Sequence, residues 1–401
     1  MSSLSIAPYF PFRRVRISGQ SVSGEADLAM IDVVPDQRFR PICSRCGGFG
    51  RIQQHEVRSI RDLDFASARV YLRCRYRKIL CSSCARVVVE DLEFFAPYRR
   101  VTKRLARCIH DLCKVMTVAD VARKFGLDWK TVKNIDKAFL ETEYGATDYE
   151  GLRLLAVDEI AIKKGHRYMT VVLDYVSGRV VWMGEGRKKE TLDAFFAGMT
   201  DEQKQRLEAV AMDMWQAYIA SVEEAVPHAK VVFDLFHVVA AFNKVIDKVR
   251  TSEKKKASKE HKDVFRGAKY LLLKRRIRNR KHREHLKLLL SLNETLFQVL
   301  LLRDKLPRIW GYRYRGCAAK AMDEWCELAR ALDHPAVSAF ADMLQRHRAG
   351  ILNHCQYPIH TSKLEGVNNK IKVIKRTAYG YHDERYFALK VIQAFDPNYS
   401  N

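Results

Sequence analysis

Between residues 152 and 238 the chain sets out one order of elements, and that order leaves few ways to fold. LRLLAVDEIAI (152–162) is an apolar run that carries Asp158 and Glu159. RYMTVVLDYVSG (167–178) and RVVWMGEG (179–186) read as two strands around a Ser177-Gly178 turn. ETLDAFFAGM (190–199) has the spacing of an amphipathic helix, and LEAVAMDMW (207–215) is a short apolar strand ending in Asp213. QAYIASVEEAV (216–226) is a second helix, and KVVFDLFHV (230–238) holds a fifth strand. Long apolar runs suit strands covered on both faces, so β-β-β-α-β-α-β predicts a mixed sheet flanked by helices.

This order is that of the RNase H-like fold, in which the first and fourth strands can be neighbours. Asp158 and Asp213 can then face one another. Two carboxylates that close repel unless they are protonated or bridged by a cation. Mg2+ is held by one or two carboxylates together with substrate phosphates, and two ions can clamp both oxygens of an in-line displacement. Strand-end aspartates also serve as ordinary caps and turn formers, so the inference rests on their shared context. From Phe242 to Arg348 the sequence is almost wholly helix-forming. Its first part, Thr251 to His285, has fourteen Lys and Arg against four Asp and Glu, which suits a nucleic-acid surface. TSKLEGVNNKIKVIKR (361–376) follows. As a helix it puts Leu364, Val367, Ile371 and Ile374 on one face. Glu365, Asn368, Asn369, Lys372 and Arg376 form the adjacent stripe. The apolar face can dock on the sheet with Glu365 at its border as a third metal ligand, and the other stripe residues can track bound DNA.

The charge agrees with such a partner. A net charge of +24 over 401 residues favours an anionic polymer, because neutralising phosphates releases counterions. A hydrophobic content of 47% permits real cores and argues against global disorder. MSSLSIAPYFPFRRVRIS lacks the apolar core of a signal peptide. LKLLLSLNETLFQVLLL (286–302) is interrupted by Lys287, Asn293 and Glu294 and reads as a buried helix, since a membrane span needs about 20 mostly apolar residues. A cytoplasmic, nucleoid-associated protein with no membrane partner is expected. Its ten cysteines are then thiols or metal ligands.

Four of those cysteines form two knuckles, Cys43-Ser-Arg-Cys46 and Cys81-Ser-Ser-Cys84. Two CxxC pairs close a structural zinc site. In the intervening VYLRCRY, Val70, Leu72, Cys74 and Tyr76 share one strand face, so a β-hairpin can bring the knuckles together. Cys74 then points inward as a packed thiol. Arg73, Arg75 and Arg77 line the other face, as phosphate contacts or a solvated surface. TVADVARKFGLDWKTVKNIDKAF (117–139) has the pattern of a helix-turn-helix. Val118, Val121, Ala122 and Phe125 pack the first helix, Gly126 ends it, and Asp128 caps a second whose inner face has Val132 and Ile135. Trp129, Lys130, Thr131, Lys133 and Asn134 would be shown to a major groove. Trp310, in IWGYRYRG, has arginines around it and could stack on an unpaired base, but large aromatics mostly pack, so a core or interface tryptophan is the leading reading.

With these residues in hand, the chain resembles a DDE transposase of a bacterial insertion sequence, most of all the ISL-three family. The resemblance implies a zinc-binding N-terminal domain (1–95) and a helix-turn-helix DNA-binding domain (96–145). It implies an RNase H-like core in two parts (146–241 and 351–401), interrupted by an all-helical basic insertion (242–350). It assigns the catalytic carboxylates to Asp158, Asp213 and Glu365. Asp234-Leu-Phe-His237 resembles an element that accompanies such cores, with Asp234 and His237 as active-site support or His237 as a satisfied core histidine. Cleavage at terminal inverted repeats dependent on Mg2+ or Mn2+, joining of 3′-OH ends to target DNA, and a homodimer or higher oligomer on DNA are implied. Two rival readings stay open on the residues alone: a zinc and helix-turn-helix regulator with an inert core, or another RNase H-like nuclease such as a junction resolvase.

Overall fold

The computed structural model describes residues 9–400 except 24, 26, 97–99, 164–166, 260, 275, 360 and 361. Thr361, the first residue of the 361–376 stretch, therefore lies outside the described residues, as do Glu260 and Arg275 of the basic stretch. The chain divides into two compact units, residues 1–142 and 143–401.

The first unit begins with a sheet of β1 (Val15–Val22), β2 (Leu28–Pro35), β3 (Gly50–Arg61), β4 (Arg69–Cys81) and β5 (Val87–Val89), in the order β1-β2-β4-β3 with β5 paired to β4. The β3–β4 pair is antiparallel and sets Gly50 opposite Cys81, so the hairpin joins the two knuckles as the spacing predicts. Val70, Leu72, Cys74 and Tyr76 are buried, and Arg73 and Arg75 are exposed, following the pleat. Burial pushes the Cys74 thiol up to about 12, so it packs and stays protonated. Arg77 departs from expectation. It is buried, its backbone N–H donates to Glu90 Oε1 at 2.7 Å and its Nε to Oε2 at 2.7 Å. β5 folds against this end of β4 and brings Glu90 over it, a tertiary pairing that strand alternation cannot report. Arg77 is therefore removed from the exposed arginine face.

Three helices follow: α1 (Lys103–Leu112), α2 (Val118–Phe125) and α3 (Trp129–Tyr144). Thr117 caps α2 through Asp120 N. Gly126 ends it in the left-handed region at φ 63°, and a Cβ there would meet the Arg69 guanidinium at 3.1 Å. Val121, Phe125, Val132 and Ile135 close a small core with Leu105 and Ile109 of α1.

The second unit holds the sheet that positions the carboxylates. Its strands are β6 (Leu154–Lys163), β7 (Arg167–Asp174), β8 (Val180–Glu185), β9 (Ala209–Met212) and β10 (Lys230–Phe233), in the order β10-β9-β6-β7-β8. β9 runs parallel to β6 and β10, whereas β7 is antiparallel to β6 and β8. Between the strands lie α4 (Lys189–Ala197), α5 (Asp201–Gln205) and α6 (Gln216–Ala225). Strand parity divides the sheet. Leu155, Val157, Val210 and Met212 pack with Phe195, Phe196 and Tyr218 of α4 and α6. Ala156, Ile160, Ala209 and Ala211 pack on the opposite face with Leu364, Val367 and Ile371 of α14 (Ser362–Thr377), and with Phe387 and Val391 of α15 (Glu384–Ala394).

From Leu235 to Leu352 the described residues form α7 (Leu235–Lys256), α8 (Ala268–Leu273), α9 (Arg280–Leu292), α10 (Glu294–Lys305), α11 (Arg315–Ala331), α12 (Pro335–Arg346) and α13 (Arg348–Leu352), with short 3-10 turns and no strand. The 286–302 run is not one buried helix. Asn293 breaks it and caps α10, its Oδ1 accepting from Leu296 N at 2.8 Å. Leu288, Leu292, Phe297 and Leu301 remain exposed. No single helix among the described residues is long and apolar enough to cross a membrane; α9 together with residues 294–311 meets that test only as a pair bent by 116°.

Candidate active site and metal centres

The cysteine knuckles converge. The thiol sulfurs of Cys43, Cys46, Cys81 and Cys84 all lie within 4.8 Å of one another, with Cys43–Cys84 at 3.8 Å and Cys46–Cys81 at 3.4 Å. A zinc–sulfur tetrahedron with bonds of about 2.3 Å has edges near 3.8 Å, so the set fits zinc. The backbone N–H of Cys84 pulls the Cys81 thiol down to about 6, while the neighbouring sulfur of Cys81 pushes Cys84 up to about 12. Zinc would take all four as thiolates and hold their charges at one centre.

On α3, Trp129, Lys130, Thr131 and Asn134 are exposed and Lys133 is half-buried. Asp128 Oδ1 accepts from Lys130 N at 2.8 Å, which fixes the start of the helix. One feature here had no sequence signal. His110 of α1 and Asp136 of α3 are both fully buried, with Nδ1 and Oδ1 2.7 Å apart. In the sheet of the same unit, Arg73 is paired with Asp32, Nε to Oδ1 at 2.5 Å, whereas Arg75 is exposed. Nε and one terminal N of Arg73 are taken by that carboxylate, and its remaining donors face solvent.

In the second unit the parallel β6–β9 register sets Ala156 beside Ala211. Asp158 and Asp213 follow two residues later on each chain, on the face covered by α14. Asp158 Oδ1 accepts from Glu159 N at 2.8 Å, and Asp213 Oδ1 from Met214 N at 2.6 Å. His237 Nδ1 lies 3.8 Å from Asp213 Oδ2, one turn into α7, so it faces the site. Asp234 is buried and caps α7, the helix that carries His237, accepting from Phe236 N at 3.1 Å. Burial raises the Asp158 carboxyl above the usual range, opposed by its hydrogen bonds and His237 and reinforced by Asp213. Glu159 is raised as well, first by burial and then by Asp158 and Asp213.

α14 lies along β6. Lys363 Nζ donates to Tyr175 O at 3.0 Å near one end, and Lys375 Nζ to Ala161 O at 3.4 Å near the other. Between them Asn368 Nδ2 donates to Asp158 Oδ2 at 2.6 Å. Asn368, expected along the DNA-facing stripe, is half-buried in the structure. It sits at the border of the apolar face, next to Val367 and three residues before Ile371, and turns inward. Asn369, Lys372 and Arg376 are exposed. Glu365, one turn before Asn368, is exposed. Among the described residues the cysteines alone form a group of three or more ligands within 4.8 Å, so Asp158, Asp213 and Glu365 are not drawn together to that distance.

A cationic wall beside the carboxylates went unread in the sequence. Arg187 lies over the rings of Tyr168 and Trp215, at 4.3 and 5.2 Å from their centroids. Trp215 Nε1 donates to Arg187 O at 3.1 Å, and Glu159 stands 3.8 Å from the guanidinium. Tyr168, Arg187 and Trp215 line a cleft of about 670 Å³ together with Lys188, Lys189, Glu185 and Glu190. Its nearest signal was Trp215, two residues after Asp213. Trp310, by contrast, packs against the helical core and stacks on His354 at 5.7 Å between centroids, a packed rather than a base-facing position.

A divalent cation fits the carboxylate site by donor chemistry. Asp158 and Asp213 supply hard oxygens, and Oδ1 of Asn368 beside them is a buried acceptor with no hydrogen-bond partner.

Residues 155–391 match the family model for ISL3 transposases of the DDE kind, described as a transposase. Residues 90–140 match the helix-turn-helix domain of transposase family ISL3, and residues 40–84 the zinc-finger of transposase IS204/IS1001/IS1096/IS1165. The chain is 40% identical over 363 residues, 89% of both chains, to the transposase for insertion sequence element IS1001 of Bordetella parapertussis. It is 26% identical over 382 residues to the transposase for insertion sequence element IS1557 of Mycobacterium tuberculosis, covering 86% of this chain and 84% of that one. A zinc ribbon, a helix-turn-helix and a DDE domain thus follow one another along a single polypeptide, and the chain belongs to the ISL3 family of transposases.

Proposed function

We propose that this transposase binds the terminal inverted repeats of its insertion sequence and cuts and joins DNA at Asp158, Asp213 and Glu365. The observation that carries the reading is the parallel β6–β9 register, which pairs Ala156 with Ala211 two residues before Asp158 and Asp213, with Leu364, Val367 and Ile371 of α14 packed on that face. The strand order of the second unit supports an RNase H-like core, with α7 to α13 as the helical insertion before the third carboxylate. Bound Mg2+ or Mn2+ would neutralise the phosphate and activate the attacking oxygen. The chain's own groups do the rest. Asp158 and Asp213 hold their carboxylates on one face, and His237 orients Asp213. Lys372 and Arg376 on α14, the basic stretch 251–285 and the Arg187 cleft hold the strand by its phosphates. Water attacks first and the freed 3′-OH second, so no protein–DNA bond forms. The exposed face of α3, with Trp129, Lys130, Thr131, Lys133 and Asn134, reads the repeat in the major groove. Two ends must be paired, which calls for a dimer or a larger assembly on DNA.

The test uses full-length protein and labelled terminal DNA. Asp158→Asn and Asp213→Asn should bind the ends as wild type and lose both Mg2+-dependent nicking and joining. A variant that still nicks at the wild-type rate contradicts the assignment.

A further inference from the structure

We infer that Asn368 belongs to the cation site itself, with its amide NH2 standing in for the cation when none is bound and its Oδ1 serving as a ligand when one is. The inference rests on the carboxylate reading of Asp158 and Asp213. Two observations on one side chain lead to it. Nδ2 donates to Asp158 Oδ2 at 2.6 Å, and Oδ1 of the same amide is buried with no hydrogen-bond partner.

The amide orientation is fixed by chemistry. An ionised carboxylate only accepts, so the NH2 faces Asp158, and the oxygen is left pointing away. A buried acceptor without a donor is costly, and native structures keep few of them. A group selected only to pin α14 to β6 would gain nothing from that oxygen. A group selected to touch DNA would not turn its carbonyl oxygen away from solvent. An amide, however, has nearly the same shape after half a turn about its last torsion, and the turn exchanges donor for acceptor. Asn carbonyl oxygens are ordinary ligands of hard divalent cations. Asn368 therefore suits both states of a site whose neighbouring carboxylates repel without a cation. The geometry also separates it from Glu365 on the same helix, which is exposed while Asn368 touches Asp158.

The experiment titrates Mn2+ into zinc-loaded full-length protein by calorimetry and follows Tm with and without Mn2+. Asn368→Asp should melt lower than wild type without Mn2+ at neutral pH, because a carboxylate then faces Asp158. Saturating Mn2+ should raise its Tm by more than it raises that of wild type. Asn368→Leu, of similar size but without polar atoms, should bind Mn2+ at least about tenfold more weakly. Wild-type Mn2+ affinity in Asn368→Leu, or a Tm loss in Asn368→Asp that Mn2+ fails to recover, overturns the inference. Asp158→Asn is titrated in parallel. If it loses Mn2+ while both Asn368 variants keep it, only the role of Asn368 fails; if it too binds Mn2+ as wild type, the carboxylate site itself is wrong.

Discussion

The buried pair His110–Asp136 ties α1 to α3, the helix proposed to enter the major groove, and removing one partner should loosen that helix. Both side chains are fully buried, the contact is 2.7 Å, and the imidazole stacks on Phe139 at 4.9 Å and 19°. His110→Ala deletes the donor and the stacked ring, and keeps the carboxylate in a dry site with one partner fewer. Breaking a buried pair in this way costs about 3–5 kcal/mol, a large part of the 5–15 kcal/mol, or so, that holds a typical domain together. At about 3–4 °C per kcal/mol for a unit of this size, the unfolding transition of the first unit should drop by roughly 10–20 °C. The double change His110→Leu with Asp136→Leu should recover most of that loss, since apolar groups of similar size replace buried pairs at little cost. Calorimetric melting of the zinc-loaded protein measures both, and binding to terminal DNA should fail at the temperature where the transition begins. A loss under about 1 kcal/mol in His110→Ala, or a double variant as unstable as the two single changes combined, would refute the reasoning.

Cys43→Ser should lower zinc content and the Tm of the first unit, and chelation of wild type should do the same; a fully folded zinc-free protein would contradict the structural role. Arg187→Ala should weaken binding to terminal DNA and lower the slope of log affinity against log salt by about one, as expected for one lost phosphate contact. Burial raises the Asp158 carboxyl, so the folded, metal-free chain holds that proton more tightly than the unfolded chain, and stability is lost as pH rises through the raised value. Asp158→Asn should therefore melt higher than wild type at neutral pH without added divalent metal, with the gap closing toward about pH 4 in a pH series of melting curves.

The parts of the fold legible in the sequence were those written as local patterns. Alternation along VYLRCRY gave the buried face of β4, and the Phe125-Gly126-Leu127 break with Asp128 gave the turn between α2 and α3. Parity in VDEIAI and AMDMW, combined with a parallel register, puts Asp158 and Asp213 on one face. What stayed hidden depends on partners distant in the chain. Arg77 follows the exposed parity of its strand, yet Glu90 from the next hairpin turns it into a buried ion pair. β1 and β2 went unread because most of their residues are half-buried or exposed, so hydrophobicity marks them weakly. Asn293 was read as an interruption within one helix, although an Asn with a free side chain is a strong cap and starts a new one. Asn368 shared a stripe with the DNA-facing bases on a helical wheel; only its contact with a strand 210 residues earlier shows that it turns inward. Arg187 and Tyr168 carry no motif at all, since their meaning arises only where β7, β8 and the loop after β9 meet.

The carboxylate assignment is tested most directly at Glu365, because it is exposed and is not gathered with the aspartates within 4.8 Å. Glu365→Gln keeps the size of the side chain and removes its charge. The measurement is single-turnover nicking and joining of labelled terminal DNA in Mg2+, beside end binding by the same protein. The account predicts wild-type binding, or slightly tighter binding from the loss of a negative charge near phosphate, with both nicking and joining abolished. Cleavage at the wild-type rate would make Glu365 a surface acid on a basic helix and would contradict the assignment of the third carboxylate.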